Sequence, residues 1–282
     1  MRRKMLLQVV GVALCCTVLS SAKVAEAQAS GSPRTETAHS FDWPNGYRAA
    51  VSLSFDDART SQIDTGLPLL NRLGVKATFF VLPGGVRRRL EGWKQAVAQG
   101  HEIGNHTITH PCTGNYDFSR NNALENYDMR RIAGEIDGAN ADIEKLVGIK
   151  PEVFAYPCGQ KFVGTGIDVQ SYVPLIAQRF IVGRSYFSES PNDPAIVDLA
   201  QAMGTSFDDM DFSHMKEVVD ETINQGRWVI FVGHEIGERG SESTDTGALE
   251  ALSRYLKDPK NGIWLGTVGE IGSYINHHRA SK

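Results

Sequence analysis

Residues 48–82 read RAAVSLSFDDARTSQIDTGLPLLNRLGVKATFFVL, and this stretch decides the fold. Residues 48–55 alternate and are rich in β-formers, so they read as a strand with Asp56 and Asp57 at its C-terminal end. Residues 61–73 carry apolar side chains on one helical face and stop at Gly74. Residues 76–82 form a second strand. A strand, a helix and a strand in this order specify a parallel βαβ unit.

The same alternation continues outward. A helix over 90–99 closes at Gly100, and a short strand over 102–104 delivers His106 and His110. The longest helical pattern covers 127–147 and ends at Gly148. Strands over 151–156, 180–184, 227–233 and 263–268 alternate with helices over 169–179, 212–225 and 246–256. Asp56, Asp57, His106, Cys158 and His234 all fall just after strands, and C-terminal strand ends converge on one site in barrels. The expected fold is therefore α/β, a barrel-like single domain without internal repeats.

The chain has 282 residues, 41% hydrophobic and 22% charged, ordinary for a globular protein. A formal net charge of -4 gives no basic field for nucleic acid or anionic lipid. Nucleic acid is not expected as a partner on that ground. Arg2, Arg3 and Lys4 precede an apolar run from Met5 to Leu19, and Ala25-Glu26-Ala27 suits cleavage before Gln28. Residues 1–27 thus read as a signal peptide and 28–40 as a flexible tether, with the domain over 41–282. The apolar run is short for a membrane span, so no stable span is expected after cleavage, and the protein would be secreted or periplasmic. An uncleaved anchor helix is the other reading. Cys112 and Cys158 remain in the mature chain, either as a bridge or as two buried thiols.

The chemistry concentrates in Ser54-Phe55-Asp56-Asp57 and Asn105-His106-Thr107-Ile108-Thr109-His110. Two imidazoles four residues apart meet on one face if their segment forms a helical turn. A carboxylate from a neighbouring strand end then completes a His2Asp donor set with open positions. Two adjacent aspartates repel, and a cation beside one relieves this. Asp57 as ligand leaves Asp56 as a general base.

These segments, with Phe154-Ala155-Tyr156-Pro157-Cys158-Gly159 and Ile230-Phe231-Val232-Gly233-His234, occur in the order of the polysaccharide deacetylases. The chain resembles that family, the carbohydrate esterases with the NodB homology domain, over roughly residues 45–240. The resemblance implies a distorted, incomplete (β/α) barrel holding one divalent metal, usually zinc. It implies Asp57, His106 and His110 as ligands, Asp56 as base and His234 as the acid that protonates the departing amine. Val232 would line the acetyl pocket, Tyr156 would stand in the substrate pocket, and the backbone amide of Cys158 would face the oxyanion. The implied reaction is hydrolytic deacetylation of an N-acetylated polysaccharide, releasing acetate.

Three departures stand out. Ala155 and Cys158 occupy the slots of the family's base-tuning arginine and of a tyrosine; Arg184 either supplies the missing guanidinium or is an ordinary rim arginine. The aspartate that tunes the acid has no clean match, and Asp209-Met210-Asp211-Phe212 is the nearest segment. Ala58-Arg59 replaces the usual Gly-Pro. The competing functions are an O-acetyl ester hydrolase of the xylan type, a small cyclic amide hydrolase on the same metal site, and a non-catalytic glycan-binding protein. Trp93, Trp228 and Trp264 read as core, and His101, His214, His277 and His278 as structural or solvent-facing.

Overall fold

The computed structural model describes residues 41–280. The expected signal peptide and tether lie outside the described residues. Eight parallel strands form the main sheet: β1 (Ala49–Asp56), β2 (Thr78–Val81), β3 (Glu102–Asn105), β4 (Val153–Ala155), β5 (Val182–Arg184), β6 (Thr205–Ser206), β7 (Trp228–Gly233) and β8 (Ile263–Leu265). Their order is β5-β4-β3-β2-β1-β7-β6, and β8 pairs with the first half of β1 where β2 has not yet begun. Beyond the paired strands, Arg184 at the end of β5 makes a parallel bridge to Ala202, just before β6, so the sheet curls into an incomplete barrel.

Helices α1 (Leu67–Leu73), α2 (Pro83–Arg88), α3 (Leu90–Ala98), α4 (Met129–Val147), α5 (Val173–Arg179), α6 (Phe212–Gln225), α7 (Thr246–Lys257) and α8 (Val268–Ala280) complete the fold. The sequence reading missed α2, the short β6 and α8. Before α1, residues Gln62–Gly66 form a π-helical turn rather than the first turn of an α-helix.

Alternation along the strands sorts two layers. Val51, Leu53 and Phe55 of β1 pack with Phe79, Val229 and Phe231 beneath α1, α3, α6 and α7. The opposite side chains, Ala50, Ser52, Ser54 and Asp56, share the other face with Phe80, Ala155 and Ile230, where α8 contributes Val268, Ile271 and Ile275. Each fully buried aliphatic or phenyl side chain of this kind contributes about 1.5–3 kcal/mol. Polar atoms on that face are satisfied: Ser54 Oγ donates to Phe231 O at 2.7 Å and Trp228 Nε1 to Ser52 Oγ at 3.1 Å. Trp93 and Trp228 are core, as read from the sequence, and Trp264 is partly buried.

Candidate active site

The C-terminal ends of the strands open into a cavity of about 780 Å³ lined by Asp56, Asp57, His106, His110, Tyr156, Cys158 and His234, among others. Alternation of β1 turns Asp56 inward. Asp57 and Ala58 then adopt left-handed backbone, with φ of 76° and 51°, which swings the Asp57 carboxylate toward β3. Asp57 N–H donates to Phe80 O, fixing the turn.

The two histidines do not sit on a helical turn. After β3 the chain runs through an irregular loop in which Thr107 and His110 are left-handed, with φ of 67° and 53°. Side chains impose this path: Asn105 Oδ1 accepts from Thr107 N–H, Thr107 Oγ1 accepts from His110 N–H, and Glu135 of α4 accepts from Ile108 and Thr109 N–H. The expected helical turn gives way because local side-chain acceptors offer the backbone an alternative. The result brings the two imidazole centroids to 4.7 Å.

His106 Nε2 and His110 Nε2 each lie 3.6 Å from Asp57 Oδ1. His106 Nδ1 donates to Ala155 O at 2.8 Å, which turns Nε2 toward Asp57 and the cavity. Burial, reinforced by His106, pushes His110 down to about 4, while Asp57 and Asp56 oppose, so the ring is neutral at ordinary pH. Burial alone would raise the Asp57 carboxyl, but His106, His110, His234 and Arg59 together hold it below the usual range. Two imidazole nitrogens and a carboxylate oxygen within 4.8 Å of one another fit a divalent ion of the zinc class.

The guanidinium that faces Asp56 comes from Arg184. Its Nη2 lies 2.5 and 2.6 Å from the two Asp56 oxygens, both residues are buried, and the guanidinium carbon stands 4.9 Å from the Phe80 ring centroid. Arg184 and Ala155 are register partners on β5 and β4, so the charge enters from the adjacent strand at the same level. Gln62, buried in the π-helical turn, donates from Nε2 to both Asp56 O and His234 O, tying the ends of β1 and β7 together.

His234 Nδ1 lies 2.6 Å from Asp208 Oδ2. Asp208 Oδ1 accepts from His234 N–H and Thr244 Oγ1. Burial would lower the imidazole, but Asp208, Asp56 and Asp57 outweigh it and raise His234 above its ordinary value. Asp208, and not the segment from Asp209 to Phe212, is therefore the aspartate on this histidine. Asp209 is left-handed and turns outward to Arg239, and Asp211 caps α6. A signal was present in the sequence: Ser206-Phe207-Asp208-Asp209 repeats Ser54-Phe55-Asp56-Asp57.

Cys112 and Cys158 form a disulfide with a Cα separation of 6.0 Å, resolving the two readings in favour of the bridge. Cys158 lines the cavity in a left-handed turn, with φ of 53°. Tyr156 also lines the cavity, but its hydroxyl donates to Ala200 O. Val232 is fully buried against Gly204 and is not among the cavity-lining residues. Arg59 donates from Nε and Nη2 to Asp57 Oδ2, at 3.1 and 2.9 Å, and pairs with Glu242.

Residues 44–170 match the family model described as polysaccharide deacetylase. Over this part the chain is similar to the polysaccharide deacetylases, in agreement with the resemblance carried by its motifs. It is 31% identical over 179 residues to a Bacillus subtilis protein named Uncharacterized protein YlxY, a match covering 55% of this chain and 52% of that one. It is 35% identical over 101 residues to a peptidoglycan-N-acetylglucosamine deacetylase of Bacillus cereus, covering 34% and 36%. The chain thus spans less than two thirds of the length of these curated relatives. The solved structure of peptidoglycan deacetylase PdaC from Bacillus subtilis superposes with a TM-score of 0.51 at 22% identity, covering 85% of this chain and 96% of that one, and shares the fold. The curled parallel sheet expected from the sequence is the fold that the chain shares with solved polysaccharide deacetylase structures.

Proposed function

We propose that this protein is an exported, metal-dependent hydrolase that removes acetyl groups from the amino sugars of a polysaccharide. The observation that carries the reading is the convergence, in one cavity, of the Asp57, His106, His110 donor set with two further groups held in opposite ways: Asp56 on Arg184 and His234 on Asp208.

Asp57, His106 and His110 would hold a divalent ion, which when bound would supply Lewis acidity toward an acetyl carbonyl. Asp56, oriented by Arg184, takes the proton of the attacking water. The N–H of Cys158 stabilises the negative charge that develops on the carbonyl oxygen. His234, kept protonated at its cavity-facing nitrogen by carboxylates behind it, donates a proton to the departing nitrogen, without which an amide does not cleave. Acetate and a free amine leave. Export accords with the disulfide beside the site, since such bonds persist in oxidising compartments. Among the described residues no helix is long and apolar enough to cross a membrane.

The test is acetate release from N-acetylglucosamine oligomers and from cell-wall glycan, with and without a chelator and after zinc is restored. Chelation should abolish release and zinc should recover it. Failure to bind metal together with failure to release acetate on every such substrate would refute the reading.

A further inference from the structure

Residues 58–62, Ala-Arg-Thr-Ser-Gln, follow the aspartate pair and begin where Ala58-Arg59 departs from the Gly-Pro of the family resemblance. Three of their side chains reach across to the segment after β7. Gln62 Nε2 donates to the carbonyl oxygens of Asp56 and His234. Ser61 Oγ donates to Glu235 and accepts from Ile236 N–H at 3.0 Å. Arg59 Nη1 lies 3.8 Å from Glu235 Oε1, and its Nη2 lies 3.2 Å from Glu242 Oε2. The end of β1 is thereby clasped to the small ladder in which Glu235–Gly237 pairs with Ser243–Asp245.

Arg59 does something the other two do not. Its Nε and Nη2 both donate to Asp57 Oδ2, whereas Asp57 Oδ1 faces His106 Nε2 and His110 Nε2, each 3.6 Å away. The two oxygens of one carboxylate are thus assigned separately, one to a guanidinium fork and one to the imidazoles. Stability is a poor reason for this, because the outer contact, to exposed Glu242, is a solvent-screened pair that contributes little. A cation beside a candidate cation site also repels the incoming ion, so whatever Arg59 gains lies elsewhere. Its aim is fixed by the backbone: Asp57 and Ala58 are both left-handed, and a Cβ added to Gly85 would lie 2.9 Å from both of their carbonyl oxygens. A planar fork on so rigid a turn sets the direction of a carboxylate, which a point charge does not.

We propose that Arg59 is a positioning residue that makes Asp57 a one-oxygen metal ligand, presenting Oδ1 to the ion and withholding Oδ2. A second carboxylate oxygen on the ion would occupy a position that water and an acetyl carbonyl need. Glu235 and Glu242 steady the guanidinium from the side of His234, so the ligand and the acid are set by one clasp. The inference rests on the metal-site reading of Asp57, His106 and His110; it does not depend on which acetylated compound is the substrate.

The experiment titrates the metal-free protein with zinc against a chromophoric chelator, with no substrate present, and compares the parent with Arg59→Ala and Arg59→Lys. Arg59→Ala should bind zinc about tenfold more tightly, the size of a guanidinium's repulsion of a divalent ion through water-like screening. Acetate release should nevertheless fall by about 10–100-fold. Arg59→Lys, which keeps the charge without the fork, should bind zinc like the parent and recover part of the rate. Zinc-loaded crystals should show one Asp57 oxygen on the ion in the parent and both in Arg59→Ala. Circular dichroism checks folding, and Arg59→Gln makes the same test should the alanine variant not fold. Zinc affinity that is unchanged or weaker without the guanidinium, a lysine variant that binds zinc as alanine does, or a single Asp57 oxygen on the ion in Arg59→Ala would overturn the proposal. A parent that binds zinc but releases no acetate would refute the deacetylase reading while affinity and coordination still decide the role of Arg59. A parent that binds no divalent ion would overturn both.

Discussion

The tetrapeptide Ser-Phe-Asp-Asp occurs twice, at 54–57 and 206–209, and the two copies have been put to different uses. In both, the phenylalanine enters the outer core, and Phe55 and Phe207 meet at 5.5 Å. In both, the first aspartate is buried or nearly so and takes a cationic partner: Arg184 for Asp56 and His234 for Asp208. In both, the second aspartate is left-handed, with φ of 76° at Asp57 and 59° at Asp209. Here they part. Asp57 turns into the cavity between two histidines, while Asp209 turns to a solvent-exposed arginine. What a strand-end aspartate does is therefore decided by which strands stand beside it, not by its own four residues.

The comparison can be broken most sharply at the second aspartates. Asp57→Ala should lose bound metal, read by atomic absorption, and acetate release together. Asp209→Ala should keep both and shift stability by no more than about 0.5 kcal/mol. Equal losses would mean that the copies are functionally alike.

The first aspartates give the next largest effect. If His234 is the proposed acid, Asp208→Asn should lower kcat by roughly 10²–10⁴-fold, the range for a misdirected acid, with metal content unchanged. Because the surrounding carboxylates raise His234, activity should persist to higher pH in the parent and its alkaline limb should move down in the variant. The same shift makes His234 a source of stability. That contribution is complete below the ordinary imidazole value of about 6.5 and disappears as pH rises through the raised folded value, so urea midpoints should narrow between parent and variant above it.

Arg184→Ala leaves a buried carboxylate unpaired and should cost about 3–5 kcal/mol, read by chemical unfolding. Because Ala155 shares its register level, Ala155→Arg in that background should recover part of the stability and activity. The smallest effect is expected at Ala58, where glycine should relieve a left-handed alanine and raise stability by about 1 kcal/mol.

The strands and helices that repeat hydrophobic patterns over many residues were legible from sequence, and so were Asp57, His106 and His110 as neighbours, because each follows a strong strand. The path between the histidines was not, since Asn105, Thr107 and Glu135 draw the backbone away from the helix that the spacing suggests. Asp208 was hidden because its strand is two residues long and carries no periodic signal. Arg184 stood at a strand end in plain view. What sequence lacks is the sideways register that sets it level with Ala155, a position reached only once neighbouring strands are paired.

Arg184 joins β5 to the segment before β6 with its backbone, through the bridge to Ala202, and holds Asp56 with its side chain. Bridge and carboxylate are thus mechanically one object. A fluctuation that parts β5 from the segment before β6 also pulls the guanidinium from the carboxylate, so heating should abolish the proposed acetate release at a temperature where most of the sheet is still paired.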